Sequence, residues 1–141
     1  MMLPVAYGIA VVATLLLVRH LARRFPTVPA RVPMSIRLDG RPSKRTVARR
    51  WLWLAPLAMG AVLALLAAVL AIDPPAPDQR LGIALVFVVL AEVAWLAAWT
   101  FDRHVELARK MTYRIAPARI LRACLPVILT AAVAVALTAR T

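Results

Sequence analysis

Apolar residues along the chain gather into four long runs, and the polar residues gather between them. The runs cover 1–18, 51–72, 81–101 and 117–139. Each is close to the ~20 residues an α-helix needs to cross a hydrocarbon core. Backbone in lipid must satisfy its own hydrogen bonds, so runs of this length predict helices. The pattern predicts an all-α integral membrane protein with four transmembrane helices and short loops, forming one membrane domain over 1–141. The connecting segments are 19–50, 73–80 and 102–116.

Prolines and aromatics refine these elements. Pro56 falls in the early turns of the second run, and Pro117 suits the first turn of the fourth. Pro126 lies inside the fourth run and predicts a bend with a freed carbonyl. Arg119 and Arg122 can reach headgroups by extending along that helix. Trp51 and Trp53 mark an interface, and Trp95 and Trp99 share one helix face near the end of the third run. No basic region precedes the first run, Arg19, Arg23 and Arg24 follow it, and no small-residue cleavage site comes after it. This favours a retained membrane helix over a signal peptide.

Composition supports the same class. The chain is 63% hydrophobic and 17% charged, with a mean hydropathy of +0.81. A globular domain is less apolar and more charged, and a disordered segment is far less apolar. The formal net charge is +12. Ten basic residues fall between Arg19 and Arg50, six between Arg103 and Arg122, and one in the turn at 73–80. By the positive-inside rule the two basic loops are cytoplasmic and both termini lie on the non-cytoplasmic side. This is the layout of a multi-pass membrane protein. The basic residues flank apolar runs, which fits anionic membrane lipids as partners. No aromatic residues interleave with the charges to stack on bases, so nucleic acid is not expected. A single cysteine, Cys124, excludes an intramolecular disulfide and reads as a small buried hydrophobe.

The loops carry their own signals. In the turn, Asp78 is placed to cap the third helix, and the short span predicts that helices two and three are antiparallel neighbours. In the first basic loop, Pro26, Pro29 and Pro33 favour an extended path, and Asp39-Gly40 reads as a turn. Ser43 is placed to cap a basic segment running straight into helix two. The loop residues Pro29, Pro33, Arg37, Asp39, Gly40 and Pro42 form a candidate interaction site, either for headgroups or for a docked protein. In the second basic loop Phe101, Val105, Ala108 and Met111 recur at helical spacing, and Glu106 precedes Lys110 by four. Helix three is therefore expected to run past the bilayer, with a basic face on the membrane surface, and to break before Pro117.

No HExxH, GxSxG, P-loop or Rossmann glycine pattern occurs, so no enzyme, catalytic residue, cofactor or metal is assigned. One intramembrane carboxylate stands out. Glu92 is twelfth in the third run, near the midplane, where a carboxylate must face protein or water. Thr14 and Thr130 fall at similar depth and complete a candidate polar site. It is open to three readings: a bundle contact, a contact to a partner subunit, or a proton or ligand site. His20 and His104 both fall at basic helix ends and read as headgroup-level residues. If helices one and three meet there, a shared metal or haem is the alternative. Gly60, Ala64 and Ala68, with Ala67 and Ala71, form small-residue faces on helix two, as do Thr130 and Ala134, and Ala132 and Ala136, on helix four. Such faces suit packing within the bundle or a homo-oligomer.

The stretch FPTVPARVPMSIRLDG at 25–40, with Pro42 following, resembles the short domain of unknown function in bacterial membrane proteins related to SdpI. That family carries a proline-rich loop after its first membrane helix, with the pattern Pro-x-His-Phe-Asn-x-x-Gly-x-Pro after an earlier proline. Pro29, Pro33, Gly40 and Pro42 fit the spacing, while Ser35, Ile36 and Arg37 stand at the histidine, phenylalanine and asparagine positions. The resemblance implies a noncatalytic, multi-pass protein of a bacterial plasma (inner) membrane, of the signalling or toxin-immunity kind, that acts by interaction. Two function classes follow: a regulatory, sensor, immunity or accessory subunit acting by interaction, or a small transporter or transport subunit using Glu92.

Overall fold

A computed structural model of the chain describes residues 2–37, 39–110 and 114–138. Met1, Met111 and the expected end of the fourth segment at Ala139 lie outside the described residues. The elements in order are α1 (Met2–Arg24), a 3-10 turn (Phe25–Thr27), β1 (Arg31–Pro33), β2 (Thr46–Ala48), a second 3-10 turn (Arg49–Trp53), α2 (Leu54–Ile72), α3 (Arg80–Arg109) and α4 (Pro117–Thr138). All four helices are long and apolar enough to cross a membrane.

Proline decides where the helices start and stop. Pro26 disfavours helical backbone at the residue before it, and α1 ends at Arg24, beyond the Val18 limit of the apolar run. Pro56 is the third residue of α2 and Pro117 the first of α4, where a missing N–H breaks no helical bond. Pro126 lies inside α4, which continues through it to Thr138. α3 meets no proline over its 30 residues and spans ~45 Å, longer than the hydrocarbon core is thick. Its first turn is not capped by Asp78. The residue before the helix is Gln79, whose side-chain Oε1 instead accepts the Ala76 N–H at 3.3 Å.

α3 is the axis of the bundle, and its largest interfaces are with α1 and α4. The buried α1 residues Ala6, Ala10, Thr14, Leu17 and Leu21 repeat every three or four positions and form one face. Ala6 and Ala10 pack with Ala84 and Phe87, and Leu17 and Leu21 with Ala94, Phe101 and Val105, so α1 and α3 run parallel. Tyr7 meets Phe87 edge to face, with ring centroids 5.2 Å apart. Lipid is as apolar as leucine, so close packing rather than a hydrophobic drive holds such helices together. The small residues that permit it are on α1 and α3. The Gly60, Ala64 and Ala68 stripe expected on α2 does not pack within the bundle: all three are exposed, and α2 buries Pro56, Met59 and Leu63 instead, with Ala67 half-buried and Ala71 exposed. α3 follows α2 through a short turn, yet α2 rests on both α1 and α3 rather than on α3 alone.

The largest departure from the sequence reading is the first basic loop. Its extended backbone is paired rather than a lone polyproline-like path, and only the 3-10 turn Arg49–Trp53 leads helically into α2. β1 and β2 form an antiparallel ribbon with Val32 opposite Val47. The pairing continues through Met34 N–H to Arg45 O (2.8 Å), Ser43 N–H to Ser35 O (3.0 Å) and Arg37 N–H to Arg41 O (2.9 Å). Ser43 does not cap a helix; its hydroxyl accepts the Arg45 N–H. The ribbon folds because one side is apolar. Val28 and Val32 are buried in the same cluster as Leu21, Phe101 and Val105. The helical bundle therefore carries a small β-cap at its basic end.

Candidate functional site

The six loop residues singled out from the sequence all belong to this cap. Pro33 is buried in β1, Pro29 is half-buried just before it, and Pro42 bridges to Ile36. Asp39 and Gly40 form the tip. Gly40 has φ +80°, and its N–H donates to Arg37 O at 2.8 Å. That left-handed backbone favours glycine. Asp39 Oδ1 accepts the Arg41 N–H at 3.1 Å. This bond, with the charges of Arg37, Arg41 and Arg114, holds the Asp39 carboxyl below its ordinary value of 3.8.

The tip is pinned to the other basic loop. Ile115 N–H donates to Gly40 O at 2.9 Å, and Arg114 Nε donates to Asp39 O at 2.7 Å. A third brace runs from Arg109 Nη2 to Thr27 O at 2.8 Å. Ile115 is only 1% exposed. The two basic loops thus form one platform. Among the described residues no carboxylate pairs with the exposed Arg31, Lys44, Arg45 or Arg50.

Beneath the cap, two of the three residues of the expected intramembrane polar site meet. Thr130 Oγ1 on α4 donates to Glu92 Oε1 on α3 at 2.9 Å. Glu92 Oε2 is buried with no hydrogen-bond partner among the described residues. Thr14 is not brought to them. Its hydroxyl donates to Ala10 O within α1 at 2.9 Å, because Glu92 faces α4 whereas α1 packs on the opposite, alanine-bearing side of α3.

The histidines have separate partners. His20 Nε2 lies 2.9 Å from Asp102 Oδ1, which also accepts from Arg24 Nη1 at 3.0 Å. His104 Nδ1 donates to Thr100 O at 2.8 Å. Helices α1 and α3 do meet here, but the two rings are engaged elsewhere. Among the described residues no group of three His, Cys, Asp or Glu is placed to hold a metal. Glu106 pairs with Arg103 at 2.7 Å, three residues back, rather than with Lys110.

Several of these residues escaped the sequence reading. Asp-Gly between segments containing Val32 and Val47 is a hairpin signal, and it was legible. Arg109, Arg114 and Ile115 as braces were not, because their partners lie 75 to 82 positions away. Comparison with known proteins adds no identity: no family model, no curated protein and no solved structure matches the chain.

Proposed function

We propose that this chain is a noncatalytic, multi-pass protein of a bacterial inner membrane that acts by interaction, as a regulatory, sensor, immunity-like or accessory subunit. Its working surface is the basic cap, facing the cytoplasm, and its partner presents acidic groups. The observation that supports this reading is the cross-bracing of two basic loops by Gly40, Asp39, Arg114 and Arg109. A disordered basic loop is enough to attract headgroups. A braced one loses less conformational entropy on docking a defined partner. Anionic lipid around the cap adds to the attraction.

Lys44 offers a direct test, since it is exposed in the cap. Amine crosslinking in native membranes, followed by mass spectrometry of peptides linked through Lys44, is expected to yield one stoichiometric partner with an acidic contact segment. Arg31→Glu with Arg45→Glu should abolish that link. A link that survives the charge reversal, or no link at all, overturns the reading.

A second reading keeps the transporter alternative, on the unpartnered Glu92 Oε2. An ionisable side chain within an apolar membrane-length helix is costly and marks ion or proton pathways. Proton flux into liposomes that is lost in Glu92→Gln would support this reading, and flux indistinguishable from empty liposomes would remove it.

A further inference from the structure

The basic half of the bundle is not filled by its own side chains. At the opposite end α2 closes on the other helices, through Leu63, Leu66 and Leu70 packed with Ala84 and Phe87. Towards the cap it leaves a cavity of about 430 Å³ against the α3 face that bears Leu96, Thr100 and His104. The same three residues line a second cavity of about 350 Å³ on the α4 side, bounded by Ile120 and Cys124 and by 34–37 of the hairpin. A third, of about 240 Å³, lies under β1 and again reaches His104. The first two volumes match sites for small organic ligands, roughly 300–1,000 Å³.

The walls are apolar, and the few polar groups are at the cap. Thr100 Oγ1 is engaged by Leu96 O at 2.8 Å, and His104 Nδ1 by Thr100 O. A carbonyl only accepts, so in the neutral ring Nδ1 carries the hydrogen and Nε2 is the acceptor. Nε2 has no partner among the described residues. Arg37 lines the mouth, and its nearest carboxylate, Asp39, is 3.9 Å away.

We propose that this cleft holds one anionic phospholipid. Its acyl chain lies along Leu96, its phosphate sits at Arg37, and a headgroup hydroxyl donates to His104 Nε2. Charge selects the occupant: the cap supplies cations at headgroup level above an apolar slot. Shape argues against a helix from a partner or a second copy. Such a helix needs a groove along the whole of α3, and this cleft is a short one, roofed by 34–37 of the hairpin and bounded by α4 through Ile120 and Cys124. The site lies below the cap surface, so its occupancy does not depend on any protein docked above.

Cys124 lines the cleft and is the chain's one cysteine, so its reaction with N-ethylmaleimide reads occupancy directly. The reagent is uncharged, but an anionic surface lowers the local pH and with it the thiolate fraction, so occupancy is scored as the difference between the unaltered chain and Arg37→Gln in discs of the same lipid. The protein is placed in nanodiscs of phosphatidylcholine alone or with phosphatidylglycerol. Phosphatidylglycerol is expected to slow the reaction about tenfold, as for a lipid present at about ten times its dissociation constant. Arg37→Gln should reduce that protection to less than about threefold. Its backbone bonds hold the hairpin without the guanidinium, so the fold is kept. Leu96→Trp should make the rate insensitive to lipid. Equal rates in the two lipids, or full protection retained in Arg37→Gln, overturn the proposal. So does protection by free glycerol phosphate, or protection that follows the number of protein copies per disc instead of the lipid.

Discussion

Gly40→Ala isolates the contact that joins the two basic loops. A Cβ built on Gly40 would stand 1.8 Å from Ile115 O and 2.8 Å from its carbonyl carbon, both backbone atoms. No rotamer change relieves that overlap, so the tip must lift from 114–116. Alanine at φ +80° adds strain of about 1–3 kcal/mol. The lost Ile115 to Gly40 hydrogen bond adds about 0.5–1.5 kcal/mol. Together these reach roughly 2–4 kcal/mol, or about one to three powers of ten in an opening equilibrium. The penalty is limited by the stability of the cap itself, because the tip can detach while α1 and α3 stay packed. Hydrogen–deuterium exchange in detergent micelles measures this. Amides of 34–43 and 115 should lose protection by that factor, while those of α1 and α3 remain unchanged. Gly60→Ala is the matched control. Its Cβ meets nothing within 4 Å, and it should stabilise α2 by up to about 1 kcal/mol. Unchanged protection at Ile115 in Gly40→Ala would refute the bracing, and loss spread evenly over the helices would refute its independence from the bundle.

Other outcomes follow from single contacts. Thr130→Val leaves both Glu92 oxygens without a donor, and a double-mutant cycle with Glu92→Leu should show coupling of about 0.6–2 kcal/mol in thermal unfolding; strict additivity would mean the bond contributes nothing. Asp102→Ala strips His20 and Arg24 of their shared acceptor and should destabilise the α1–α3 contact by about 1 kcal/mol, less at high salt, with no change in midpoint as the contrary result. The Asp39 carboxyl is held below its ordinary value, so the stability it lends the tip is present above 3.8 and is lost as pH falls through its folded-state value. The Arg41 amide resonance should report that loss between about pH 5 and pH 2. A resonance that does not move, or one that moves equally in Asp39→Asn, would contradict it.

The helices were legible because their signal is local. Runs of about 20 apolar residues and prolines at fixed positions need no knowledge of the rest of the chain, and they predict the four long apolar helices, two of which, α1 and α3, run on past their apolar stretches to Arg24 and Arg109. The errors came where a local rule competes with a distant partner. α1 runs past Val18 because lipid-length reasoning stops at the first charge, whereas the α-helix itself continues to Arg24, where the Pro26-bearing 3-10 turn takes over. The small stripe on α2 reads as a packing face, but alanine abundance alone does not choose between stripes, and the bundle uses Ala6, Ala10, Ala84 and Ala94 instead. Proline content suggested an extended loop, and the Val32–Val47 pairing turned that extended backbone into a ribbon.

The polar site divides the same way. Depth along each helix is a property of sequence, and it placed Glu92, Thr14 and Thr130 at one level. Rotation about each helix axis is decided by packing. α1 lies on the alanine side of α3 and α4 on the Glu92 side, so Thr130 reaches the carboxylate and Thr14 bonds its own helix. Sequence by itself determined the membrane class, the number of spans and the concentration of charge at one end, because each depends on residues within one helix length. Only tertiary structure decided which faces meet, how the two basic loops brace each other across 75 to 82 positions, and where the cleft beneath them lies, because those depend on three-dimensional closeness that no local pattern encodes.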